Sequence, residues 1–137
     1  MPKVMRVLET CIHVKDLERS ARFYEKLFGF RRMDSSERLC AFDAGSGSVF
    51  LLFQQGGTGD AVDTPGGMIP PHGGSGDLHL AFAIPAEDCA GWEKRLGEEG
   101  IAIESRVRWE RGGTSLYFRD PDHHLVELAT PGIWPSF

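Results

Sequence analysis

The sequence lacks most of what would mark a membrane, secreted or nucleic-acid-binding protein. None of its apolar runs approaches the ~20 residues that a bilayer span needs. Residues 1–7, MPKVMRV, lack the apolar stretch of a secretory signal, so the expected location is the cytoplasm. Cysteine is scarce: Cys11, Cys40 and Cys89 stand far apart with no Cys-x-x-Cys pair, which excludes a disulfide framework or a cysteine-built zinc site. Three thiols in this pattern suit a reducing compartment, where they serve as small apolar groups. Positive charge is also in deficit. Fifteen Lys and Arg face twenty Asp and Glu, a net charge of -5, which argues against nucleic acid and anionic membrane surfaces as partners. No phosphate loop, nucleotide fingerprint or Ser-His-Asp order occurs, and the lone Gly45-Ser46-Gly47 is too short a signal to use. What is present is ordinary globular composition, 41% hydrophobic and 26% charged, over 137 residues. That length can bury a core unaided.

The chain reads as two copies of one unit. Residues 7–13 form a short apolar, β-branched strand. Asp16 then offers an N-cap, Leu17, Ala21, Tyr24, Leu27 and Phe28 fall at helical spacing, and Gly29 stops the helix. Residues 38–42 and 48–53 follow as strands around a glycine-rich turn. The second half repeats the order: a strand over 77–84, a helix opened by residues 85–88 and ended at Gly100, then strands over 101–109, 114–119 and 124–129. Laying Glu9 on His79, Gly29 on Gly100 and Phe42 on Phe118 keeps the two halves in step. Between them, residues 54–76 are dense in glycine and read either as a tether or as a flap over a site.

Two stretches carry a family resemblance. The opening, Leu8-Glu9-Thr10-Cys11-Ile12-His13-Val14-Lys15-Asp16-Leu17 with Phe23-Tyr24 and Leu27-Phe28-Gly29-Phe30, resembles that of the vicinal oxygen chelate superfamily. The ending, from Gly112-Gly113-Thr114 through Tyr117-Phe118-Arg119-Asp120-Pro121-Asp122 to Leu125-Val126-Glu127-Leu128, is similar to its closing motif. That superfamily includes glyoxalase I, fosfomycin-resistance enzymes, extradiol dioxygenases and bleomycin-resistance proteins, and its scaffold hosts several chemistries. The resemblance implies an α+β fold of two tandem βαβββ modules whose curved mixed sheets surround a shared cavity. Within a single domain, module one covers about 6–54, a glycine-rich linker 55–76, module two about 77–131, and a tail 132–137. It also implies metal ligands at Glu9, His79 and Glu127, and a homodimer in which Glu9 of one chain faces His79 and Glu127 of the other. The sequence departs from relatives in two places. Most fosfomycin-resistance and dioxygenase members carry histidine where Glu9 stands, and glyoxalase I has a further glutamate where this chain shows Leu51.

Strand alternation supports the ligand set. Glu9, Cys11 and His13 share one face, as do His79, Ala81 and Ala83, and Leu125, Glu127 and Ala129. Glu127 is the strongest anomaly, a carboxylate with apolar residues on every side, which must be paired, protonated or metal-bound if buried. One histidine and two carboxylates suit Mn²⁺, Fe²⁺, Co²⁺, Ni²⁺ or Zn²⁺ and leave coordination positions open. His13 lies four residues along the strand from Glu9, ~13 Å at the usual rise, and reads as a pocket wall or core residue. His72 reads as a substrate-binding proton shuttle or as a solvated loop residue. His123 and His124 read as surface residues. Tyr117 either orients substrate and donates a proton or packs in the core, with Ser115 on the same face offering a hydrogen bond. Trp109 and Trp134 read as packing or interface residues.

The resulting expectation is a divalent-metal-dependent enzyme, with Glu127 and Tyr117 catalytic and Tyr117, Ser115 and His72 contacting substrate. It acts on a small molecule with adjacent oxygens as a lyase, isomerase, transferase or dioxygenase. The alternative is a metal-free drug-binding protein of the bleomycin-resistance type.

Overall fold

The computed structural model describes residues 1–137, which divide into two compact units, Met1–Ser75 and Gly76–Phe137. In the first unit, β1 (Glu9–Val14) leads into α1 (Leu17–Phe28), followed by β2 (Arg31–Ser35), β3 (Leu39–Asp43) and β4 (Val49–Gln54). The sheet order is β1-β4-β3-β2, with β1 and β4 parallel and the other pairs antiparallel. Helix α1 starts where the Asp16 carboxylate accepts from the Arg19 N–H at 3.1 Å. It stops at Gly29, whose φ of 69° suits a left-handed cap. Its buried face, Leu17, Ala21, Tyr24 and Leu27, packs on the sheet. There Tyr24 meets Phe50 edge-on at 4.8 Å, and Ile12, Val14, Phe42 and Leu52 are almost fully buried. Each such large side chain contributes ~2 kcal/mol on burial. The opposite sheet face carries Glu9, Cys11 and His13.

Strand β2 has no apolar signature. Its sequence RRMDS is held at the sheet edge by Arg32, which donates to the carboxylates of Glu18 and Glu25 on α1, and its register shifts between Arg32 and Asp34. Residues 54–76 are not structureless. They contain a hairpin of β5 (Val62–Thr64) and β6 (Gly67–Ile69), and buried Thr58 exchanges two hydrogen bonds with His72 that close the loop.

The second unit repeats the plan with β7 (His79–Ala83), a 3₁₀ turn over Ala86–Asp88, α2 (Cys89–Glu98), β8 (Ser105–Arg108), β9 (Thr114–Arg119) and β10 (Leu125–Ala129). Its sheet order, β7-β10-β9-β8, and its parallel β7–β10 pair match those of the first unit. Glu9 faces Val49 at the start of one parallel pair and His79 faces Leu125 at the start of the other. Gly29 and Gly100 follow the two helices with φ of 69° and 70°. Residues 101–104 are not strand, because the Ile101 N–H bonds back to the Leu96 carbonyl and completes the helix end. His124, read from the sequence as a surface residue, is only 1% exposed. The turn explains the difference: Asp120 Oδ1 accepts from the His124 N–H, and its ring Nδ1 accepts from the Leu78 N–H. His123 takes the positive φ of that turn and is exposed. No helix is long and apolar enough to cross a membrane.

The β8–β9 turn and the C-terminal segment cross with no room between them. A Cβ on Gly132 would lie 2.7 Å from the Gly113 nitrogen, and Gly132 has a φ of 101°. Since the obstacle is backbone, Gly132→Ala should cost about 1–3 kcal/mol and lower the urea midpoint. Gly59→Ala, with nothing within 4 Å of the new methyl, should leave it nearly unchanged. Equal midpoints for the two variants would contradict the crossing as described.

Candidate metal centre

Parallel pairing with β10 sets the second unit's polar cluster. His79 opens β7 opposite Leu125, and its ring Nδ1 lies 2.9 Å from the Leu125 carbonyl oxygen. A carbonyl only accepts, so Nδ1 carries the proton, and in the neutral ring Nε2 presents a lone pair. That Nε2 lies 3.2 Å from Glu127 Oε1, with the Glu127 side chain 10% exposed and that of His79 51% exposed. Glu127 Oε2 is engaged separately, by the Ser115 hydroxyl at 2.6 Å. Ser115 is fully buried and also accepts from the Trp109 indole N–H at 2.9 Å. Because the indole only donates, Ser115 accepts from it and donates to Glu127.

The antiparallel register places Tyr117 directly across from Glu127, with its ring centroid 6.3 Å from that of His79. Burial pushes the Tyr117 phenol above its ordinary pKa; a hydrogen bond with Ser115 opposes the shift, and the Glu127 charge and a hydrogen bond with that carboxylate add to it. The phenol is therefore a proton donor at neutral pH.

These bonds leave two atoms of the cluster aimed at each other, Nε2 of His79 and Oε1 of Glu127. Both are electron-pair donors in their neutral and ionised forms, respectively. A 3.2 Å separation is what two bonds of ~2.1 Å span when they meet between a right angle and the tetrahedral angle. A second-shell carbonyl on the imidazole and a second-shell hydroxyl on the carboxylate are the usual supports of such ligands. The donor set fits a divalent cation. Within neither unit do three His, Cys, Asp or Glu side chains gather, so each unit taken alone supplies an incomplete set.

The same positions in the first unit are chemically different. Glu9, exposed at the start of β1, holds the place that His79 holds on β7. Leu51 pairs with Cys11 as Glu127 pairs with Ala81, so the first unit has leucine where the second has its buried carboxylate. Ala41 faces Leu51 as Tyr117 faces Glu127. Desolvation, with the Glu9 charge adding, pushes the Cys11 thiol up and keeps it neutral. Further along β1, His13 is buried and stacks on Phe53 at 5.6 Å. His72, though exposed, is neither swinging nor fully solvated: its backbone is clamped to Thr58 and its ring packs on Phe53 at 4.6 Å and His13 at 5.5 Å.

The structure thus brings together His79, Glu127, Ser115 and Tyr117, and places Glu9, His13 and His72 in the other unit. Ser115 donates its hydroxyl to Glu127 Oε2. Trp109 was missed as part of the cluster. Its only sequence signal is an indole N–H beside a hairpin turn, two positions from Ser115 in the β8–β9 pairing rather than in the chain.

Comparison with known proteins identifies the family of the fold. A profile of the Glyoxalase/Bleomycin resistance protein/Dioxygenase superfamily matches residues 6–128. The chain is 31% identical to "Metallothiol transferase FosB" of Bacillus licheniformis over 133 residues, 96% of this chain and 79% of the relative. It is 30% identical to "Glutathione transferase FosA" of Serratia marcescens, covering 84% of this chain and 73% of the relative. Among solved structures, lactoylglutathione lyase from Agrobacterium tumefaciens superposes with a TM-score of 0.88 at 27% identity, over 98% of this chain and 99% of that one. With both repeated sheets, the opening and closing strands and the profile in accord, the chain belongs to the Glyoxalase/Bleomycin resistance protein/Dioxygenase superfamily.

Proposed function

We propose that this chain is a divalent-metal-dependent enzyme that adds a nucleophile to a small molecule bearing adjacent oxygens, as a transferase. The observation that carries this reading is the His79–Glu127 pair, whose remaining donor atoms face each other after Leu125 and Ser115 have engaged the other two. The bound cation would supply Lewis-acid stabilisation of charge developing on substrate oxygen. His79 and Glu127 hold it from one chain, and Glu9 of a second copy is the third donor in a homodimer. Two carboxylates offset the charge of a dication, leaving it milder than one held by two histidines.

The roles of the remaining side chains follow from their surroundings. Glu127 is nearly buried and fixed by Ser115, so it acts as a ligand and not as a mobile base. Tyr117, protonated and across the strand pair from Glu127, orients the substrate and donates a proton to the oxygen that gains charge. On the first unit, the His72 and Phe53 rings pack edge-on at 4.6 Å. Leu51 favours transfer over an isomerase reaction, since the first unit holds no carboxylate at the place of Glu127 to remove a carbon-bound proton. Relatives named for thiol transfer and fosfomycin resistance fit this class. With Glu9 as a ligand, the substrate here is an oxygen chelator chosen by a different metal charge.

Protein purified without added metal or chelator should contain close to one transition-metal ion per chain and bind oxalate, a bidentate oxygen ligand, only when loaded. Glu127→Ala and His79→Ala should fold and lose the ion. Full metal content in folded Glu127→Ala, or oxalate binding indifferent to chelator, would remove the reading and favour a metal-free binding protein.

Sharing of the site between chains makes a separate prediction. Glu9→Ala and Glu127→Ala chains, each inactive alone, should regain one intact site per mixed dimer when refolded together. Absence of any recovery in confirmed mixed dimers would place all three ligands within one chain.

A further inference from the structure

We infer that Trp109 is a positioning residue for the metal centre, acting on Glu127 through Ser115; the inference rests on the reading of Glu127 as a metal ligand. The path is continuous: the Trp109 indole N–H donates to Ser115 Oγ at 2.9 Å, and Ser115 donates to Glu127 Oε2 at 2.6 Å. Direction matters more than proximity. A serine hydroxyl rotates freely and can either donate or accept, whereas an indole N–H can only donate. Once the indole occupies a lone pair of Oγ, the hydroxyl proton is left to the carboxylate, and the two bonds polarise each other. Glu127 then has one oxygen committed and one, Oε1, turned toward His79 Nε2.

Trp109 is itself braced. Its backbone N–H bonds to the Gly113 carbonyl and its carbonyl accepts from the Gly112 N–H, which closes the turn between β8 and β9. That turn is fastened to the C-terminal segment: Gly113 donates to the Gly132 carbonyl and the Thr114 N–H donates to the Thr130 hydroxyl at 2.8 Å. Trp109 as a residue is 40% exposed, yet its indole N–H reaches a buried hydroxyl. Its polar edge is turned inward to the one buried hydroxyl that holds the carboxylate. Nothing equivalent exists in the first unit, where Leu39 and Leu51 stand at the positions of Ser115 and Glu127.

The test is a double-mutant cycle on Mn²⁺ affinity in the full chain, read by electron paramagnetic resonance of free Mn²⁺. Trp109→Phe keeps the ring and deletes the donor; it should weaken Mn²⁺ binding about tenfold, the lower end of what loss of a second-shell partner costs. Ser115→Ala should weaken binding by ~10–100-fold. The double variant should be no weaker than Ser115→Ala, and Ser115→Thr should restore near wild-type affinity. Independently, the wild-type minus Trp109→Phe fluorescence difference should shift when Mn²⁺ is added, and the same difference in a Ser115→Ala background should not. The wild-type minus Trp109→Phe difference needs only that one variant, so an unshifted difference overturns the inference even where Ser115→Ala does not fold. Trp109→Phe binding Mn²⁺ like wild type, or a double variant whose losses simply multiply, would overturn the inference while leaving the metal centre in place. Wild-type protein that binds no Mn²⁺, Ni²⁺, Zn²⁺ or Fe²⁺ would overturn both.

Discussion

A buried carboxylate in the middle of an apolar strand governs the second unit. Glu127 lies between Val126 and Leu128, both fully buried, and is itself 7% exposed. An isolated charge there would cost more than the fold has to spare, so its surroundings are built to compensate it. Ser115 takes one oxygen, Trp109 fixes Ser115, and His79 faces the other oxygen. The β8–β9 turn, the tight glycine crossing at its base and the parallel β7–β10 pairing all serve to bring these groups to one carboxylate.

The repeat shows how one scaffold acquires a one-sided chemistry. The two sheets share strand order and register, so Glu9 and His79, Leu51 and Glu127, and Ala41 and Tyr117 occupy matching places. At these places one unit presents a carboxylate, a leucine and an alanine, and the other presents an imidazole, a carboxylate and a phenol. In such a fold the backbone sets where a side chain stands, and the sequence of each module decides which chemistry stands there.

Much of this was legible in the sequence because it rests on local patterns. Alternation marked Glu127 as an anomaly, cap residues marked the limits of α1, and the internal alignment put His79 opposite Glu9 in the repeat. What was not legible depended on tertiary contacts. Strand β2 has no apolar pattern, since an edge strand tied down by Arg32 to α1 does not need one. His124 looked like a turn residue, yet its ring is drawn inside to accept from the Leu78 backbone. Residues 54–76 read as a tether or a flap, but the Thr58–His72 clamp is a pairing of residues 14 apart, which composition does not reveal. Trp109 was invisible for the same reason: its partner lies across a strand pair.

The most direct measurement is anomalous diffraction from crystals of the wild-type protein grown with Mn²⁺. The account predicts a single strong peak within ligating distance of both His79 Nε2 and Glu127 Oε1, with Ser115 still bonded to Oε2 and Glu9 of a second copy completing the set. A peak elsewhere, or a His79–Glu127 contact that persists unchanged while the ion sits at another site, would contradict it.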